Sequence, residues 1–355
     1  MGSTFNDFQL VTVYGGTGAQ GRAVVHSLLQ NKRFKVRAIT RDSSSKRAQE
    51  LASLGAEIVV ADGWKKDQIT AAFAGSWAAF VNTNSDDPIF ATSESPTEFD
   101  LGKTIIDGIV NGGTVEHFVY SGAASTSEAT NGQVDTKTTQ MKTQIERYAV
   151  ATGFFKSVIP VYAGWYMENF ANPHFAKAFG GFPTQPDNEG FITLATPRWG
   201  NATDMPVPWL CVEKDFGDIV HGALCAPEEY NGKVIAALSD TSTLPGVANA
   251  LETVLNKDAR YVCLPSPGDL APEVPQLADV RALFAFGQLS DAKYFGLDIR
   301  TTVTTSSLLK AKAAEACGKD PNNAHLLSFK EWLADLFQQG PHVKEVGNFI
   351  EGTGP

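Results

Sequence analysis

A glycine-rich segment near the start of the chain constrains its fold more than any other feature. The segment, GGTGAQGR at residues 15–22, follows the apolar run 10–14 and precedes the periodic run 23–29. The apolar run predicts a buried strand, and the periodic run predicts a helix. A strand, a tight glycine turn and a helix in this order are typical of a dinucleotide-binding unit.

The glycine spacing gives each position of this turn a separate role. Gly15 would permit the tight turn, Gly18 would let a pyrophosphate approach the backbone, and Gly21 would let the helix pack closely. The helix N-terminus would add free N–H groups and a partial positive charge for the phosphates. A structural turn without a ligand is the alternative. The predicted cofactor contacts in this segment are Gly15, Thr17, Gly18, Ala19, Gln20, Gly21 and Arg22.

Residues 1–160 repeat a rhythm of strand and helix. This rhythm predicts an α/β fold, a Rossmann-type doubly wound parallel sheet with helices on both faces. We expect strands at 10–14, 34–40, 56–61, 78–83, 117–121 and 156–160, and helices at 47–54, 66–74, 98–111 and 136–152. The ligand crevice should lie beyond the carboxyl ends of the strands, where the strand order reverses.

Residues 161–355 differ from the first 160 in composition, because Pro, Gly, Trp and Phe become frequent. We interpret them as a smaller, mixed domain that covers the nucleotide domain and supplies a substrate pocket. Within it, residues 215–240 contain a predicted helix and a predicted strand that would return to the main sheet. The proline-rich segment 264–275 is interpreted as a linker, and the role of residues 265–325 stays open.

Composition excludes several classes of protein. The 355 residues carry a net charge of −10 with no long basic stretch, which argues against nucleic-acid or anionic-membrane binding. No apolar run approaches the roughly 20 residues of a membrane span. Residues 1–9 lack the layout of a signal peptide, so we expect a cytoplasmic protein. The six histidines stand singly, and no metal site is predicted. The oligomeric state stays open.

The end of the second strand bears on the choice between NAD and NADP. Arg41 follows Thr40 there, and a guanidinium suits the 2′-phosphate of NADP(H). Lys46 is a second candidate contact. Asp42 would instead favour NAD, but we interpret it as a helix-capping residue. Asp62, at the end of the third strand, would either meet the adenine edge or cap the next helix.

The acid–base pair of ordinary short-chain reductases is missing. Those enzymes place a tyrosine four residues before a lysine, so that both share one helical face beside the nicotinamide. Here Lys142 lies in a predicted helix, but the position four residues earlier holds Thr138. A threonine hydroxyl is no general acid near neutral pH, which makes an ordinary alcohol dehydrogenase or epimerase improbable.

The chain resembles the NmrA-like branch of atypical short-chain dehydrogenases, which is related to isoflavone-reductase-type enzymes. The resemblance spans roughly the first 240 residues. It rests on GGTGAQGR at 15–22, VRAITRD at 36–42, FVYSG at 118–122, KTQIERY at 142–148 and GWYMENF at 164–170. In isoflavone-reductase-type enzymes the lysine of the corresponding helix is functional, so the resemblance implies a catalytic role for Lys142 and hydride delivery from NADPH.

The remaining site residues follow as hypotheses. Lys142 would bind the nicotinamide ribose and stabilise negative charge on the substrate, or donate a proton. Further cofactor contacts would come from the ends of strands 4, 5 and 6, namely Asn82, Thr83, Ser121 and Tyr162. The substrate pocket would include Tyr120, Tyr166 and Asn169.

Two functions are compatible with these residues. The first is an NADPH-dependent reductase of a small apolar carbonyl, imine or conjugated alkene, with Lys142 as the charge-stabilising or proton-donating group. The second is a non-catalytic NADP(H)-binding redox sensor that acts through protein partners. The missing tyrosine favours the sensor, whereas Lys142 and the aromatic cover favour the reductase.

Overall fold

The computed structural model describes residues 8–90, 92, 96–297 and 299–338. The strands in this part of the chain alternate with helices up to residue 163, as the sequence predicts. They are β1 (Gln9–Tyr14), β2 (Phe34–Thr40), β3 (Glu57–Val60), β4 (Ala78–Val81), β5 (His117–Gly122), β6 (Ser157–Ala163), β7 (Trp165–Tyr166), β8 (Ile192–Pro197), β9 (Trp209–Leu210), β10 (Ile235–Ala237) and β11 (Ala259–Leu264).

Helices of the described residues pack on both faces of the main sheet, and further helices lie in the C-terminal half. They are α1 (Ala19–Leu29), α2 (Lys46–Ser53), α3 (Lys66–Ala72), α4 (Glu98–Gly112), α5 (Thr126–Ala129), α6 (Lys137–Ala151), α7 (Pro173–Ala178), α8 (Gly217–Leu224), α9 (Leu244–Leu255), α10 (Ala278–Leu289), α11 (Ile299–Ala316) and α12 (Phe329–Gln338).

Across the described residues, seven parallel strands form one sheet in the order β10-β6-β5-β4-β1-β2-β3. The order reverses between β1 and β4, where Val11 pairs with Val36 on one side and Ala78 on the other. This is the doubly wound arrangement, and it places a crevice beyond the carboxyl ends of β1 and β4. The predicted fold class is confirmed.

Each face of the sheet has its own apolar core. One core joins the strands to α1, α8 and α11, through side chains such as Val24, Val220 and Leu309. The other joins them to α3, α4 and α6, through Ile69, Ile105 and Ile145. Strands buried on both faces explain the unbroken apolar runs that predict them.

The second half of the chain adds smaller sheets and a third core. β8 pairs with β11, and β7 pairs with β9, both in parallel. Trp199, Trp209 and Phe284 are fully buried in this core together with Phe329 of α12. β10 pairs with β6 at the edge of the main sheet, so residues 235–237 extend the nucleotide-binding unit.

Several predicted boundaries were wrong. Helix α1 begins at Ala19, inside the glycine segment, rather than at residue 23, because Gly21 is helical and packs on the turn. β4 ends at Val81, so Asn82 and Thr83 follow the strand instead of ending it. The predicted linker 264–275 contains a single-turn 3₁₀ helix at Pro267–Asp269. None of the described helices is long and apolar enough to cross a membrane.

Candidate functional site

The glycine turn adopts a conformation that requires its glycines. Gly15 has a φ of 73°, in the left-handed region, and the Gly16 N–H donates to the Ile39 carbonyl oxygen at 3.2 Å. A Cβ on Gly21 would lie 2.1 Å from the Gly15 carbonyl oxygen, which no side chain tolerates. The first turn of α1 therefore lies directly against the end of β1, at the switch point of the sheet.

The N-terminus of α1 differs from those of α2, α4 and α6. Ser45, Thr97 and Thr136 cap those three helices with side-chain hydrogen bonds. Gly18, the residue before α1, has extended backbone and, lacking a side chain, makes no such bond. The first-turn N–H groups of α1 thus stay open to an external acceptor. This cradle suits the pyrophosphate of a dinucleotide.

Arg41 lies beyond the end of β2, as predicted for a contact with a 2′-phosphate. Its guanidinium is largely exposed and forms an ion pair with Asp87 at 3.2 Å. Lys46 is exposed as the first residue of α2. Asp42 accepts hydrogen bonds from the backbone and side chain of Ser44, which hold its pKa below the usual range. Asp42 thus shapes the turn before α2, although Ser45 is the cap.

Asp62 is half-buried just beyond β3. One of its carboxylate oxygens accepts the Trp64 N–H at 3.0 Å, so the side chain stabilises the turn that leads to α3. Burial raises the pKa of Tyr14 to about 12; Arg41 opposes this shift, whereas Asp62 and Asp87 reinforce it. These charged groups therefore lie together around the ends of β1 to β3.

Lys142 has a buried carboxylate as its partner. Its ammonium lies 3.1 Å from a carboxylate oxygen of Glu98 and donates to the Thr83 carbonyl oxygen at 3.0 Å. The Thr83 hydroxyl donates to the same Glu98 oxygen at 2.5 Å. Helix α6 supplies the lysine, α4 supplies the carboxylate, and the segment after β4 supplies Thr83. The structure thus brings the predicted residues Lys142 and Thr83 together around Glu98, which the sequence did not reveal.

Two hydroxyl residues near this group have partners within the protein. Thr138, at the position of the missing tyrosine, donates its hydroxyl to Asp279 at 3.0 Å. Tyr120 is fully buried and lies 3.3 Å from the Thr83 hydroxyl, and burial together with Glu98 raises its pKa well above the usual value. Its ring packs in the core of β5 and is not part of the lining of the cavity beside Glu98, so a place for Tyr120 in a substrate pocket stays a prediction.

The other residues expected near the nicotinamide have varied surroundings. Tyr162 donates its hydroxyl to Glu146 at 2.8 Å, and burial followed by the Glu146 charge raises its pKa. Ser121 is buried in β5. Asn82 is half-buried, and its carbonyl oxygen faces Gly15, where a Cβ would approach it to 3.0 Å. These residues all lie at the carboxyl ends of β4 to β6.

Tyr166 contacts the first turn of α1 across the crevice. The Gln20 side-chain amide donates to the Tyr166 hydroxyl at 2.5 Å, and the amide oxygen of Gln20 is buried without a hydrogen-bond partner among the described residues. Burial raises the pKa of Tyr166 despite this bond. Asn169 is half-buried in the following turn. The segment after β6 therefore closes over the glycine turn, as a cover would.

A cavity of about 280 Å³ lies beside the Lys142–Glu98 pair. Glu98 forms part of its wall, and the loop after β4, the first turns of α6 and one residue of α10 form the rest. Seven of the ten lining residues have polar or charged side chains: Ser85, Asp86, Asp87, Pro88, Phe90, Glu98, Lys137, Thr138, Met141 and Asp279. Trp199 and Trp209, in the aromatic second half of the chain, are packed in the third core and do not line this cavity.

Sequence reasoning missed Glu98, Asp87 and Asp279. Glu98 begins α4, where an acidic residue ordinarily complements the helix dipole, so its position gave no signal of a partner. Asp87 lies in a polar loop, and Asp279 in a region without a family motif. Across the described residues, no group of three or more His, Cys, Asp or Glu side chains is arranged to hold a metal ion.

The sequence matches the model of the NmrA-like family over residues 7–315. It is 58% identical over 331 residues to the NmrA-like family domain-containing oxidoreductase cpsB of Aspergillus campestris. This alignment covers 93% of this chain and 97% of that protein. It is 49% identical over 342 residues to the oxidoreductase notA' of Aspergillus versicolor. That alignment covers 91% of this chain and 96% of the relative. The chain belongs to the NmrA-like family.

The fold is also similar to that of NmrA, a negative transcriptional regulator whose structure was solved in complex with NADP. The TM-score is 0.73 at 21% identity, with 95% of this chain and 98% of that chain covered. At this identity the likeness shows the fold. The relatives of 58% and 49% identity are both described as oxidoreductases.

Proposed function

We propose that this protein is an NADPH-dependent reductase of a small carbonyl, imine or conjugated alkene. The observation that carries this proposal is the buried Lys142–Glu98 pair at the wall of a cavity beyond the strand ends. A charged pair held beside a ligand-sized space is a common arrangement at catalytic sites. The relatives of this chain that are named oxidoreductases support the reaction type.

The residues of the crevice fit an NADPH molecule. The uncapped first turn of α1 would hold the pyrophosphate, and Arg41 would hold the 2′-phosphate. Asn82, Thr83, Ser121 and Tyr162, at or just beyond the ends of β4 to β6, would border the nicotinamide half. When bound there, NADPH would supply a hydride to the substrate.

Lys142 would stabilise the charge that this reduction creates. An ammonium has three N–H donors. Two of them contact the Thr83 carbonyl oxygen and Glu98 at 3.0 and 3.1 Å, and the third has the Thr83 hydroxyl at 3.5 Å, a long and weak contact. The third would bind a substrate oxygen or nitrogen as negative charge develops there. Glu98 and the Thr83 hydroxyl fix the ammonium in place, so little reorganisation is needed.

The sensor function has a weaker basis. NmrA is described as a transcriptional regulator, but the relatives of 58% and 49% identity are described as oxidoreductases. A sensor also has no need of a 280 Å³ cavity beside a buried ion pair. We therefore favour the reductase.

Cofactor binding tests the first part of this proposal. We expect calorimetry to show NADPH binding that weakens at least about tenfold in Arg41→Ala, because a charge-assisted bond to phosphate is lost. NADH binding should change little. Arg147→Ala is a matched control, since Arg147 is 62% exposed against 63% for Arg41 and also pairs with a carboxylate. Equal losses in both variants, or equal binding of NADH and NADPH, would contradict the assignment.

A further inference from the structure

The guanidinium that would hold the 2′-phosphate already has a carboxylate partner. Arg41, just beyond β2, lies 3.2 Å from a carboxylate oxygen of Asp87, in the loop after β4. β1 lies between β2 and β4 in the sheet, so this ion pair joins segments on the two sides of the strand that leads to the glycine turn. The pair therefore borders the crevice where the dinucleotide would lie.

The charge of Asp87 reaches the end of β1. Burial is the largest influence on the pKa of Tyr14, the last residue of β1, and raises it. The next influences on this pKa are the charges of Arg41, which lowers it, and of Asp62 and Asp87, which raise it. Asp87 thus acts on the same part of the crevice as Arg41, at the carboxyl ends of β1 and β2.

The Asp87 carboxylate is held in place by its own loop. One of its oxygens, Oδ1, accepts the Ile89 N–H at 3.1 Å, and its backbone carbonyl oxygen accepts the Phe90 N–H at 2.9 Å. These bonds fix the single-turn 3₁₀ helix at Pro88–Phe90, and Phe90 is buried in the core that joins the sheet to α3, α4 and α6. The other oxygen, Oδ2, is the one that contacts Arg41. The carboxylate therefore keeps its position when the guanidinium moves.

Arg41 is the partner that can move. Its side chain is 63% exposed, against 22% for Asp87, and in the described part of the chain one guanidinium nitrogen, Nη1, makes the contact. A guanidinium has five N–H donors, so this contact uses a small part of its capacity. An exposed ion pair of this kind is weak and costs little to break. Arg41 can therefore exchange the carboxylate for another anion.

We propose that Asp87 is a specificity-determining residue of the cofactor site, because it competes with the 2′-phosphate of NADPH for Arg41. This inference rests on the proposed function, which assigns Arg41 to that phosphate. NADH has a ribose hydroxyl in place of the phosphate, so its binding leaves the Arg41–Asp87 pair intact. Asp87 therefore lowers the affinity for NADPH, leaves the affinity for NADH unchanged, and narrows the difference between the two cofactors.

The phosphate still prevails in this competition. A phosphate monoester carries close to two negative charges at neutral pH and can accept two parallel N–H bonds from a guanidinium. Asp87 offers one charge and one oxygen, since its other oxygen accepts the Ile89 N–H. Arg41 consequently gains by moving from Asp87 to the phosphate, and the lost ion pair subtracts part of that gain. The subtraction has the size of an exposed pair, about two- to fivefold in affinity.

Calorimetry on the full chain tests this proposal by binding, without turnover. We expect Asp87→Asn to bind NADPH about two- to fivefold more tightly than wild type, and NADH with unchanged affinity. Asparagine keeps an acceptor oxygen for the Ile89 N–H, so thermal unfolding of the variant should match wild type. Asp107→Asn is the matched control, because Asp107 is 28% exposed, pairs with Lys103 and lies towards the C-terminal end of α4. The control should bind both dinucleotides as wild type does.

The double variant with Arg41→Ala separates competition from simple repulsion. Without the guanidinium there is nothing to compete for, so Asp87→Asn should leave the NADPH affinity unchanged in that background. The same gain with and without Arg41 would show that Asp87 only repels the phosphate, and would overturn the proposal. Weaker NADPH binding in Asp87→Asn would also overturn it, because Asp87 would then position Arg41. So would an unchanged affinity, an equal gain for NADH, or an equal gain in Asp107→Asn.

The same titrations separate this inference from the proposed function. A loss of NADPH affinity in Arg41→Ala, with no gain in Asp87→Asn, supports the assignment of Arg41 and overturns the competition. Unchanged NADPH binding in Arg41→Ala contradicts the assignment, and the competition with it. A loss in Arg41→Ala, together with a gain in Asp87→Asn that depends on Arg41, supports both. No binding of either dinucleotide contradicts both.

Discussion

Two buried lysine–carboxylate pairs in this protein have similar burial and different surroundings. Lys142 and Glu98 are 12% and 3% exposed, and Lys310 and Asp215 are 13% and 0% exposed. The first pair borders the cavity beyond the strand ends. The second joins α11 to the turn before α8, and Asp215 also accepts the Leu327 N–H at 3.0 Å.

The difference shows that a buried ion pair has no fixed role. Both pairs lose hydration, and in both the partners must compensate each other. The Lys310–Asp215 pair is enclosed by packed helices, so its effect is on the structure. In the Lys142–Glu98 pair, Glu98 borders open space, so water or a ligand can reach its carboxylate. We therefore expect substitutions at the two pairs to separate stability from activity.

The largest expected effect is at the enclosed pair. Lys310→Met should lower the free energy of unfolding by about 3–5 kcal/mol, because Asp215 is left buried without its cation. Urea denaturation followed by circular dichroism measures this change. The catalytic constants of the folded fraction should stay at wild-type values. A loss below 1 kcal/mol would show that Asp215 is not compensated mainly by Lys310.

The network around the enclosed pair also predicts a pH dependence. Asp218 lies 3.8 Å from Lys310 and accepts from Ser27, which contacts His221. Burial, followed by the charge of Lys319, lowers the pKa of His221 from 6.5 to about 4. The unfolded chain therefore binds a proton that the folded protein excludes, and stability falls as pH drops from about 6.5 to 4, by about 3 kcal/mol in all.

Wild type and His221→Gln should be compared at each pH in urea denaturation. The comparison is needed because Glu168 titrates in the opposite sense. Burial raises the pKa of Glu168 to about 7, so its contribution to stability is present below its ordinary pKa and is lost as pH rises through 7. If wild type and variant have the same slope between pH 6.5 and 4, His221 is not the group responsible.

Substitutions at the Lys142–Glu98 pair should change the stability less, and the activity more, than substitutions at the Lys310–Asp215 pair. Lys142→Met should cost about 1–3 kcal/mol, because water in the cavity can solvate Glu98. The double variant Lys142→Met with Glu98→Gln should regain most of that stability. Both variants should lose roughly 10²- to 10³-fold in kcat for NADPH oxidation, in the range of lost charge stabilisation. Full activity in the stable double variant would exclude a catalytic role for Lys142.

The smallest expected effect is at an exposed pair on the same helix as Lys310. Lys312 lies 3.1 Å from Glu229, and both side chains are substantially exposed. Lys312→Met should change the free energy of unfolding by about 0.2–1 kcal/mol. Urea denaturation beside Lys310→Met checks this value. A loss as large as that of Lys310→Met would show that burial does not distinguish the pairs.

Much of the nucleotide-binding half could be predicted from local patterns. The glycine turn, the strand rhythm and the position of Arg41 after β2 all depend on residues close in sequence, and they lie where they were expected. The substrate region could not be predicted in this way. The aromatic residues of the second half could form a pocket wall or a core, and the structure shows that Trp199 and Trp209 pack into a core of their own.

The sequence by itself determined the doubly wound sheet, the helix N-terminus at its switch point and Lys142 as a candidate. These depend on backbone conformation and on alternation of apolar runs, which neighbouring residues fix. Only the tertiary structure decided which side chains contact one another at the site. Lys142 and Thr83 are 59 residues apart, and Thr138 and Asp279 are 141 apart. Such contacts arise from how helices pack on the sheet. In the sequence, Glu98 and Asp279 are ordinary acidic residues in the first turn of a helix, and only the packing shows which side chains they contact.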